Sequence, residues 1–187
     1  MKKGLLLLFM LLFAGGVHAL EVAGVDLPDS IELQAGQKPL VLNGAGIRKK
    51  FFFKIYVAAL YLPQRQSDAS KVLDMDGPKR IQMDMLYSKV EREKFIEGWN
   101  EGFAANQSEA EMKSLRPRLD RFNGMFETLV EGDRVLLDYL PGEGTRVTIK
   151  GQVKGVIEGR DFNRALLAVW LGDSPVTRHL KAALLGL

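Results

Sequence analysis

The stretch from Phe51 to Leu62 constrains the fold more than any other part of this sequence. It reads FFFKIYVAALYL, and its aromatic and β-branched residues favour a β-strand, because no helical stripe of apolar residues is present. Pro63 ends the run, and a turn at Gly44-Ala45-Gly46 is expected to lead into it through Arg48. We therefore expect one long strand that is largely buried.

Alternation along this strand divides its side chains between two faces. One face carries Phe51, Phe53, Ile55, Val57, Ala59 and Tyr61, and the other carries Phe52, Lys54, Tyr56, Ala58, Leu60 and Leu62. If the extended run reaches back through the basic triplet, Arg48 and Lys50 join the second face. An ionised group among apolar neighbours is costly unless it is paired. We expect an internal carboxylate such as Asp84, or an anionic ligand, to neutralise Arg48 and Lys54.

Residues Met1 to Ala19 have the three parts of a secretory signal peptide. Lys2-Lys3 is the positive end, Leu5 to Phe13 is the apolar core, and Val17-His18-Ala19 is a small-residue cleavage site. The apolar core is far shorter than the ~20 residues that a membrane-spanning helix needs. We therefore predict a periplasmic or secreted protein that is cleaved after Ala19 and has no stable membrane insertion.

Charge and residue usage exclude several classes of function. Removing the leader takes two of the 26 basic residues and none of the 23 acidic ones, so the formal charge falls from +3 to +1. This balance indicates no nucleic-acid partner. The sequence has no cysteine, and His179 is the only histidine beyond the leader, which argues against thiolate, zinc and histidine-triad chemistry. We expect no metal and no cofactor.

The remaining segments predict an α+β fold. Strands are predicted at 20–27 (a strand or hairpin), 31–42, 80–87, 134–140, 145–150 and 152–157. Helices are predicted at 67–74, after the capping boxes Ser88–Glu91 and Ser108–Glu111, after Asp161 as a cap, and from Pro175 to Leu185. Pro117 is expected to kink or divide the helix that follows Ser108. This order indicates an antiparallel sheet with helices on one side, in a single domain over residues 20–187.

An aromatic stripe marks the helix predicted after Ser88. Phe95, Trp99 and Phe103 recur every four residues along it. Packing in the core explains such a stripe, and a ligand pocket walled by the same side chains over the sheet is compatible with it.

Three segments resemble the exported bacterial branch of the chalcone isomerase-like superfamily. They are NGAGIRKKFFFKIYVAALYLP at 43–63, DYLPGEGTRVTIKG at 138–151 and DFNRALLAVWLGDSPVTRHLKAALLG at 161–186. The resemblance covers essentially all of the mature chain. It implies an open-faced β-sandwich, in which a large antiparallel sheet is covered on one side by a layer of helices, with a ligand cleft between them.

The resemblance also implies candidate residues. Plant enzymes of this superfamily close a chalcone to a flavanone, and related plant proteins bind fatty acids without catalysis. Arg48 matches the arginine that contacts the ligand in both groups. Tyr56 falls where the enzymes have a threonine, and Tyr87 is the counterpart of their other catalytic tyrosine. The candidate catalytic residues are therefore Arg48, Tyr56 and Tyr87.

We accordingly expect a non-catalytic binder of a small amphipathic carboxylate such as a fatty acid. The candidate ligand-binding residues are Arg48, Tyr56, Lys54, Phe95, Trp99 and Phe103, although Lys54 taken alone is expected to face solvent or to extend its charge to the surface. One alternative is an intramolecular lyase of the chalcone isomerase type, which would take an aromatic ligand. Another is a structural or interaction module of the cell envelope, in which Arg48 and Lys54 pair with internal carboxylates. The sequence predicts no particular oligomeric state.

Overall fold

A computed structural model describes residues 19–187. The predicted signal peptide lies outside the described residues apart from Ala19. The strands are β1 Ala19–Val22, β2 Val25–Pro28, β3 Ser30–Ile31, β4 Leu40–Lys50, β5 Phe53–Leu62, β6 Lys79–Met85, β7 Lys89–Val90, β8 Leu129–Val130, β9 Arg134–Leu140, β10 Gly144–Ile149 and β11 Gln152–Ile157. The helices are α1 Ala69–Asp74, α2 Arg92–Ala104, α3 Glu109–Asn123, α4 Arg160–Leu171 and α5 Arg178–Leu184.

A seven-stranded antiparallel sheet dominates the fold, in the order β11-β10-β9-β6-β5-β4-β3. Neighbours in the sheet are neighbours in sequence except β6 and β9, whose connection contains α2 and α3. The strand predicted at 80–87 corresponds to β6 and lies beside β5, as expected. The predicted C-terminal meander corresponds to β9, β10 and β11, and the predicted N-terminal hairpin to β1 and β2.

The helices cover one face of this sheet. The main apolar core lies between them and the sheet, and it joins Leu60 of β5 and Met83 of β6 to Phe122 and Trp170 of the helices. A smaller cluster on the opposite face packs Leu27 of the β1–β2 hairpin with residues of β4 and β5. This arrangement confirms the α+β class and the open-faced β-sandwich. Within residues 19–187, every helix is too short or too polar to cross a membrane.

The long strand predicted from Phe51 begins two residues later than expected. The chain reverses at Phe51 and Phe52, so that β4 ends at Lys50 and β5 begins after the turn. No Gly, Asn or Pro marks this turn, which is why the sequence indicated a continuous strand. Arg48 still shares a face with Tyr56, but it does so as the cross-strand neighbour of that residue. The alternation predicted for the buried part of β5 is confirmed, because residues 56, 58, 60 and 62 contact the main core and residues 57, 59 and 61 the smaller cluster.

The turn predicted at Gly44-Ala45-Gly46 is wrong, because these residues lie within β4. Helix α5 packs against the strand at this point. A Cβ added to Gly44 would lie 2.1 Å from the backbone oxygen of Ala183, and one added to Gly46 would lie 2.7 Å from the Cβ of the same residue. The glycines therefore permit a helix to approach the sheet closely and do not reverse the chain.

Of the two predicted capping boxes, the one at Ser88–Glu91 is wrong. Its central residues form β7, which pairs with β8, and α2 begins after Glu91 without a side-chain cap. The Glu91 carboxylate instead accepts a hydrogen bond from the Thr128 hydroxyl at 3.0 Å. The second box is confirmed, because Ser108 and Glu111 bond reciprocally at the start of α3.

The division predicted as one outcome at Pro117 is wrong, and two predicted helix starts also change. Pro117 lies inside α3, which continues undivided for 15 residues; its side chain is exposed, so water can bind the carbonyl that loses its N–H partner. Helix α4 is preceded by Gly159 instead of Asp161, whose carboxylate binds the Arg118 guanidinium. Helix α5 begins after Thr177, whose hydroxyl accepts a hydrogen bond from a first-turn amide, and not at Pro175.

Candidate functional site

A pocket of about 310 Å³ opens where β4 ends and β5 begins, beneath α2. Its walls come from three sources: Arg48, Phe53, Ile55 and Tyr56 of the β4–β5 pair; Phe95, Gly98 and Trp99 of α2; and Met83, Tyr87, Val90, Val169 and Val176 from the surrounding elements. The lining is completed by Phe51 and by the charged residues Lys50, Lys89, Glu91, Lys94, Glu97 and Glu101. Aromatic and aliphatic walls with a few polar groups are typical of ligand-binding pockets.

A β-bulge in β5 decides which of its side chains reach this pocket. Tyr56 lies opposite Arg48, and Lys54 lies opposite the next residue of β4, so Ile55 has no residue opposite it. An extra residue shifts the alternation beyond it by one position. As a result Phe53 and Ile55 line the pocket together with Tyr56, whereas Lys54 is exposed outside it. Strict alternation had placed Lys54 beside Tyr56.

Arg48 is half-buried in the pocket wall. Its guanidinium carbon lies 5.8 Å from the centroid of the Tyr56 ring, within the range of a cation–π interaction. Among residues 19–187, no carboxylate forms an ion pair with Arg48. The expected pairing with Asp84 is wrong, because β6 directs that residue to the opposite face of the sheet, where Arg134 and Gln82 bind its carboxylate.

Tyr56 is buried beside this guanidinium. The indole Nε1–H of Trp170 donates a hydrogen bond to its hydroxyl oxygen at 3.0 Å. Burial raises the pKa of the Tyr56 hydroxyl above its ordinary value, an effect that the positive charge of Arg48 and the bond from Trp170 oppose. The hydroxyl is therefore protonated at neutral pH. Its oxygen accepts from Trp170, and its proton has no acceptor within the described part of the chain.

A second buried donor lines the same pocket. The Nε1 atom of Trp99 is inaccessible to solvent and has no hydrogen-bond partner among residues 19–187. An unmet buried N–H costs free energy, and a ligand oxygen could bind this one only if neighbouring side chains moved to open it. The Trp99 ring packs edge-on against Trp170 at a centroid distance of 5.5 Å, which holds it in place.

Tyr87 follows β6 in the strand-to-helix connection and lines the pocket. Its ring packs edge-on against Phe53, with centroids 5.4 Å apart. Its backbone amide donates to the carbonyl oxygen of Ile55 at 3.2 Å, so the bulge and the connection support each other. The structure thus brings Tyr87 into the same site as Arg48 and Tyr56.

The charged residues at the rim largely neutralise one another. Lys94 binds Glu97 at 2.7 Å and Lys89 binds Glu91 at 2.7 Å. The hydrogen bonds from these lysines hold the pKa values of both carboxyls below their usual range. Lys50 and Glu101 also line the pocket, and Arg48 adds a positive charge that forms no ion pair with a carboxylate of the described chain.

Five of the seven predicted site residues meet at this pocket: Arg48, Tyr56, Tyr87, Phe95 and Trp99. Phe103 is fully buried and packs against Phe162 in the core, and Lys54 lies outside. Sequence reasoning missed Phe53 and Ile55, because nothing in the sequence marked the bulge. It also missed Val169 and Val176, which reach the site only through tertiary packing.

Apart from the rim residues Glu91, Glu97 and Glu101, the polar groups of the pocket favour an anion. The Arg48 guanidinium and the Tyr56 hydroxyl are donors, whereas a metal ion requires acceptors. Within residues 19–187, no three His, Asp or Glu side chains are grouped so as to hold a metal ion. Donors at one end and aromatic and aliphatic walls elsewhere suit a molecule with a small anionic head and an apolar body.

Comparisons with known proteins agree with the architecture. A family model described as chalcone isomerase-like matches residues 19–186. The crystal structure of a fatty-acid binding protein from Arabidopsis thaliana resembles the chain with a TM-score of 0.67 and 17% sequence identity, over 90% of this chain and 96% of that one. At this identity the likeness shows the fold alone. No curated protein matches the sequence.

Proposed function

Because this chain belongs to the chalcone isomerase-like family, we propose that it binds a small amphipathic carboxylate, such as a fatty acid, without converting it. The ligand lies in the pocket between the sheet and α2. Its carboxylate contacts Arg48, and its apolar body contacts the walls formed by Phe53, Phe95 and Trp99.

The single observation that carries this proposal is the state of Arg48. Arg48 is half-buried in the pocket wall and has no carboxylate partner in residues 19–187, so its guanidinium is free to pair with an anion that enters the pocket. A carboxylate suits the planar guanidinium, because two parallel N–H···O bonds can form. The Tyr56 ring lies 5.8 Å from the guanidinium carbon of Arg48, and its hydroxyl proton has no acceptor in the described chain, so this hydroxyl can donate a further bond to the ligand.

The apolar walls supply most of the affinity. Each methylene transferred from water contributes about 0.8 kcal/mol, so affinity should rise with chain length until the cavity is full. A pocket of about 310 Å³ is at the small end of ligand-binding cavities, which span about 300–1,000 Å³. We therefore expect an optimum at short or medium chain length. The Arabidopsis fatty-acid binding protein of the same fold supports this choice of ligand class.

Calorimetric titration with saturated fatty acids of increasing length tests the proposal, together with mass spectrometry of small molecules that co-purify with the protein. Arg48→Gln should weaken binding by about tenfold or more, since a hydrogen bond to a charged group contributes about 1.5–3 kcal/mol. Arg116→Gln, at an exposed position of α3, is the matched control and should leave affinity unchanged. Absence of binding at every length, or equal affinities of the two variants, would refute the proposal.

A second candidate is an intramolecular lyase of the chalcone isomerase type. The observation that favours it is the presence of Arg48, Tyr56 and Tyr87 in one pocket. Arg48 could stabilise a developing enolate, and the walls could hold the ring-closing conformer. The test is the decay of chalcone absorbance: a rate no faster than in buffer alone excludes this activity, and a rate that Arg48→Gln lowers supports it.

We further propose that the protein acts in the periplasm or outside the cell. The support for this is the sequence of the leader, with Lys2-Lys3, the apolar run Leu5 to Phe13 and the cleavage site at Ala19. Mass spectrometry of the protein recovered from the periplasmic and secreted fractions should give an N-terminus at residue 20. An intact leader on protein recovered only from the cytoplasm would contradict the prediction.

A further inference from the structure

The turn between β4 and β5 carries the most exposed aromatic side chains of the described chain. Phe51 is 85% exposed and Phe52 is 98% exposed, and Phe53 at the start of β5 is 55% exposed. Three adjacent phenylalanines in water form a contiguous apolar projection. A patch of this kind on a soluble protein marks a surface that contacts another apolar phase.

The backbone conformation of the turn does not explain why phenylalanines occupy it. The two-residue turn requires a positive φ at Phe51, which takes +54°. Gly or Asn adopts this conformation readily, whereas a bulky side chain is strained in it. Phe51 and Phe52 therefore neither stabilise the turn nor bury their rings in the fold, and strain of this kind points to a role outside folding.

Basic residues surround the projection. Lys49, Lys50 and Lys54 are exposed on the two strands that enter and leave the turn. Within residues 19–187, none of the three forms an ion pair with a carboxylate. Exposed aromatic rings between unpaired lysines match the chemistry of the bilayer interface, where rings enter the boundary region and ammonium groups contact anionic head groups.

We propose that the β4–β5 turn, which we define as residues 49–54, docks reversibly on the surface of an anionic lipid bilayer. Phe51 and Phe52 enter the interfacial region, and the three lysines contact the head groups. A protein partner fits the turn less well, because a stable interface covers about 800 Å² on each side, far more than three adjacent side chains offer. Docking would also place the pocket at the membrane, since Lys50, Phe51 and Phe53 line its mouth.

Co-sedimentation with vesicles tests the docking independently of any pocket ligand. The protein should bind vesicles of phosphatidylcholine mixed with phosphatidylglycerol, bind pure phosphatidylcholine weakly, and be released by salt. Phe52→Ser should weaken binding by about tenfold or more, because it removes an inserted ring. Lys49→Gln combined with Lys54→Gln should abolish the preference for phosphatidylglycerol. Phe52, Lys49 and Lys54 do not line the pocket, so fatty-acid binding should be unchanged in both variants.

The control variants remove an exposed apolar side chain, or two exposed positive charges, at other places on the surface. Val153→Ser removes a 63% exposed apolar side chain from β11, and Lys38→Gln with Lys113→Gln removes two exposed charges far from the turn. Neither control should alter vesicle binding. All variants share one N-terminus, fixed by mass spectrometry, so any contribution of the leader is the same in each.

Depth of insertion gives a second measurement. Trp99 and Trp170, the two tryptophans of the chain, are both buried, so Phe52→Trp adds an exposed fluorophore. Its emission should shift to the blue with vesicles, and brominated lipid should quench it. Failure to bind phosphatidylglycerol vesicles, equal binding by Phe52→Ser and Val153→Ser, or a dimer in solution that Phe52→Ser converts to a monomer would overturn the proposal.

Discussion

Trp170 donates its indole N–H to the hydroxyl oxygen of Tyr56 at 3.0 Å, and this bond joins α4 to β5 at the wall of the pocket. Both side chains are buried. The bond uses the Tyr56 hydroxyl oxygen as an acceptor and leaves its proton without an acceptor in the described chain. The same contact therefore contributes to stability and orients a free donor at the candidate site.

Removing the Tyr56 hydroxyl, which accepts this bond, should destabilise the protein. Tyr56→Phe leaves the buried N–H of Trp170 without an acceptor, so the free energy of unfolding should fall by about 1–3 kcal/mol, measured by urea denaturation. Tyr87→Phe is the control, since the Tyr87 side chain is half-buried and the described chain offers its hydroxyl no hydrogen bond; it should change stability by less than about 0.5 kcal/mol.

A double-mutant cycle isolates the bond itself. Trp170→Phe also removes packing, so its own cost is larger than that of one hydrogen bond. In the background of Trp170→Phe, the change Tyr56→Phe should cost about 1 kcal/mol less than it does alone, because the bond is already absent. Additive effects of the two changes would show that the bond does not contribute.

Gly98 offers a way to fill the pocket without disturbing the fold. It lies on α2 at the pocket wall, and a Cβ added there meets nothing within 4 Å. Gly98→Leu should weaken fatty-acid binding by about tenfold or more, because its side chain replaces two or more ligand methylenes. Stability should rise slightly, since glycine is about 1 kcal/mol less favourable than alanine within a helix.

The control for this substitution is Ala104→Leu, at an exposed position of the same helix. Calorimetry should give it the affinity of the unmodified protein. If Gly98→Leu also retained full affinity, the ligand would have to bind somewhere other than this pocket, and the proposed site would be wrong.

Local periodicity predicted much of this fold, because it depends on residues near one another in sequence. The buried part of β5 follows strict alternation, and Phe95 and Trp99 share the helix face that the stripe indicated. Features that depend on distant contacts were missed. The turn at Phe51 contains no turn-forming residue, and the partner of Asp84 is set by the register of β6 with β9.

In the candidate site too, features that depend on residues close in sequence were predicted, and features that depend on contacts between distant residues were missed. Arg48 and Tyr56 were placed on one face correctly, although the continuous strand that suggested it is a hairpin. Lys54 was placed with them because the bulge at Ile55 has no sequence signal. Bulges arise from the register that two strands adopt together, and one strand examined alone does not reveal it.

Close packing of α5 on β4 makes Gly44 intolerant of any side chain. A Cβ there would lie 2.1 Å from the backbone oxygen of Ala183, and backbone atoms cannot move aside without displacing the helix. The buried Asn43 side chain also donates to the carbonyl oxygen of Leu184 at 2.8 Å, so strand and helix are bonded as well as packed. Gly44→Ala should lower the free energy of unfolding by about 3 kcal/mol or more.

Thermal denaturation measures that loss, and hydrogen exchange at the amides of α5 should show that this helix is released first. Gly77→Ala is the control, because a Cβ at Gly77 has only ordinary contacts, the nearest at 3.4 Å from Pro63. Equal melting temperatures for the two variants would contradict the close packing of α5.

Lys79 gives the protein a dependence of stability on pH. It begins β6 with 2% of its surface exposed, its ammonium group donates to the carbonyl oxygen of Met75, and its Nζ lies 4.9 Å from the centroid of the Tyr139 ring. Burial, with a smaller contribution from Arg160, lowers the pKa of Lys79 from 10.5 to about 8. Between these two pH values the unfolded chain holds a proton that the folded protein has released.

Stability should therefore rise with pH across the window from about 8 to about 10.5, and the contribution of Lys79 should be lost as the pH falls through this window. A pKa shift of this size corresponds to a change of roughly 3 kcal/mol in the free energy of unfolding between the two ends of the window.

Lys79→Met removes the titrating group and keeps an apolar stem of similar length. The variant should be more stable than the unmodified protein at pH about 7, and this advantage should shrink as the pH approaches 10.5. Urea denaturation at several pH values measures the difference, in which the effects of all other titrating groups cancel. Lys113→Met, at an exposed position of α3, should change stability by less than about 0.5 kcal/mol at every pH. A difference between Lys79→Met and the unmodified protein that stayed constant with pH would show that Lys79 remains charged in the folded state.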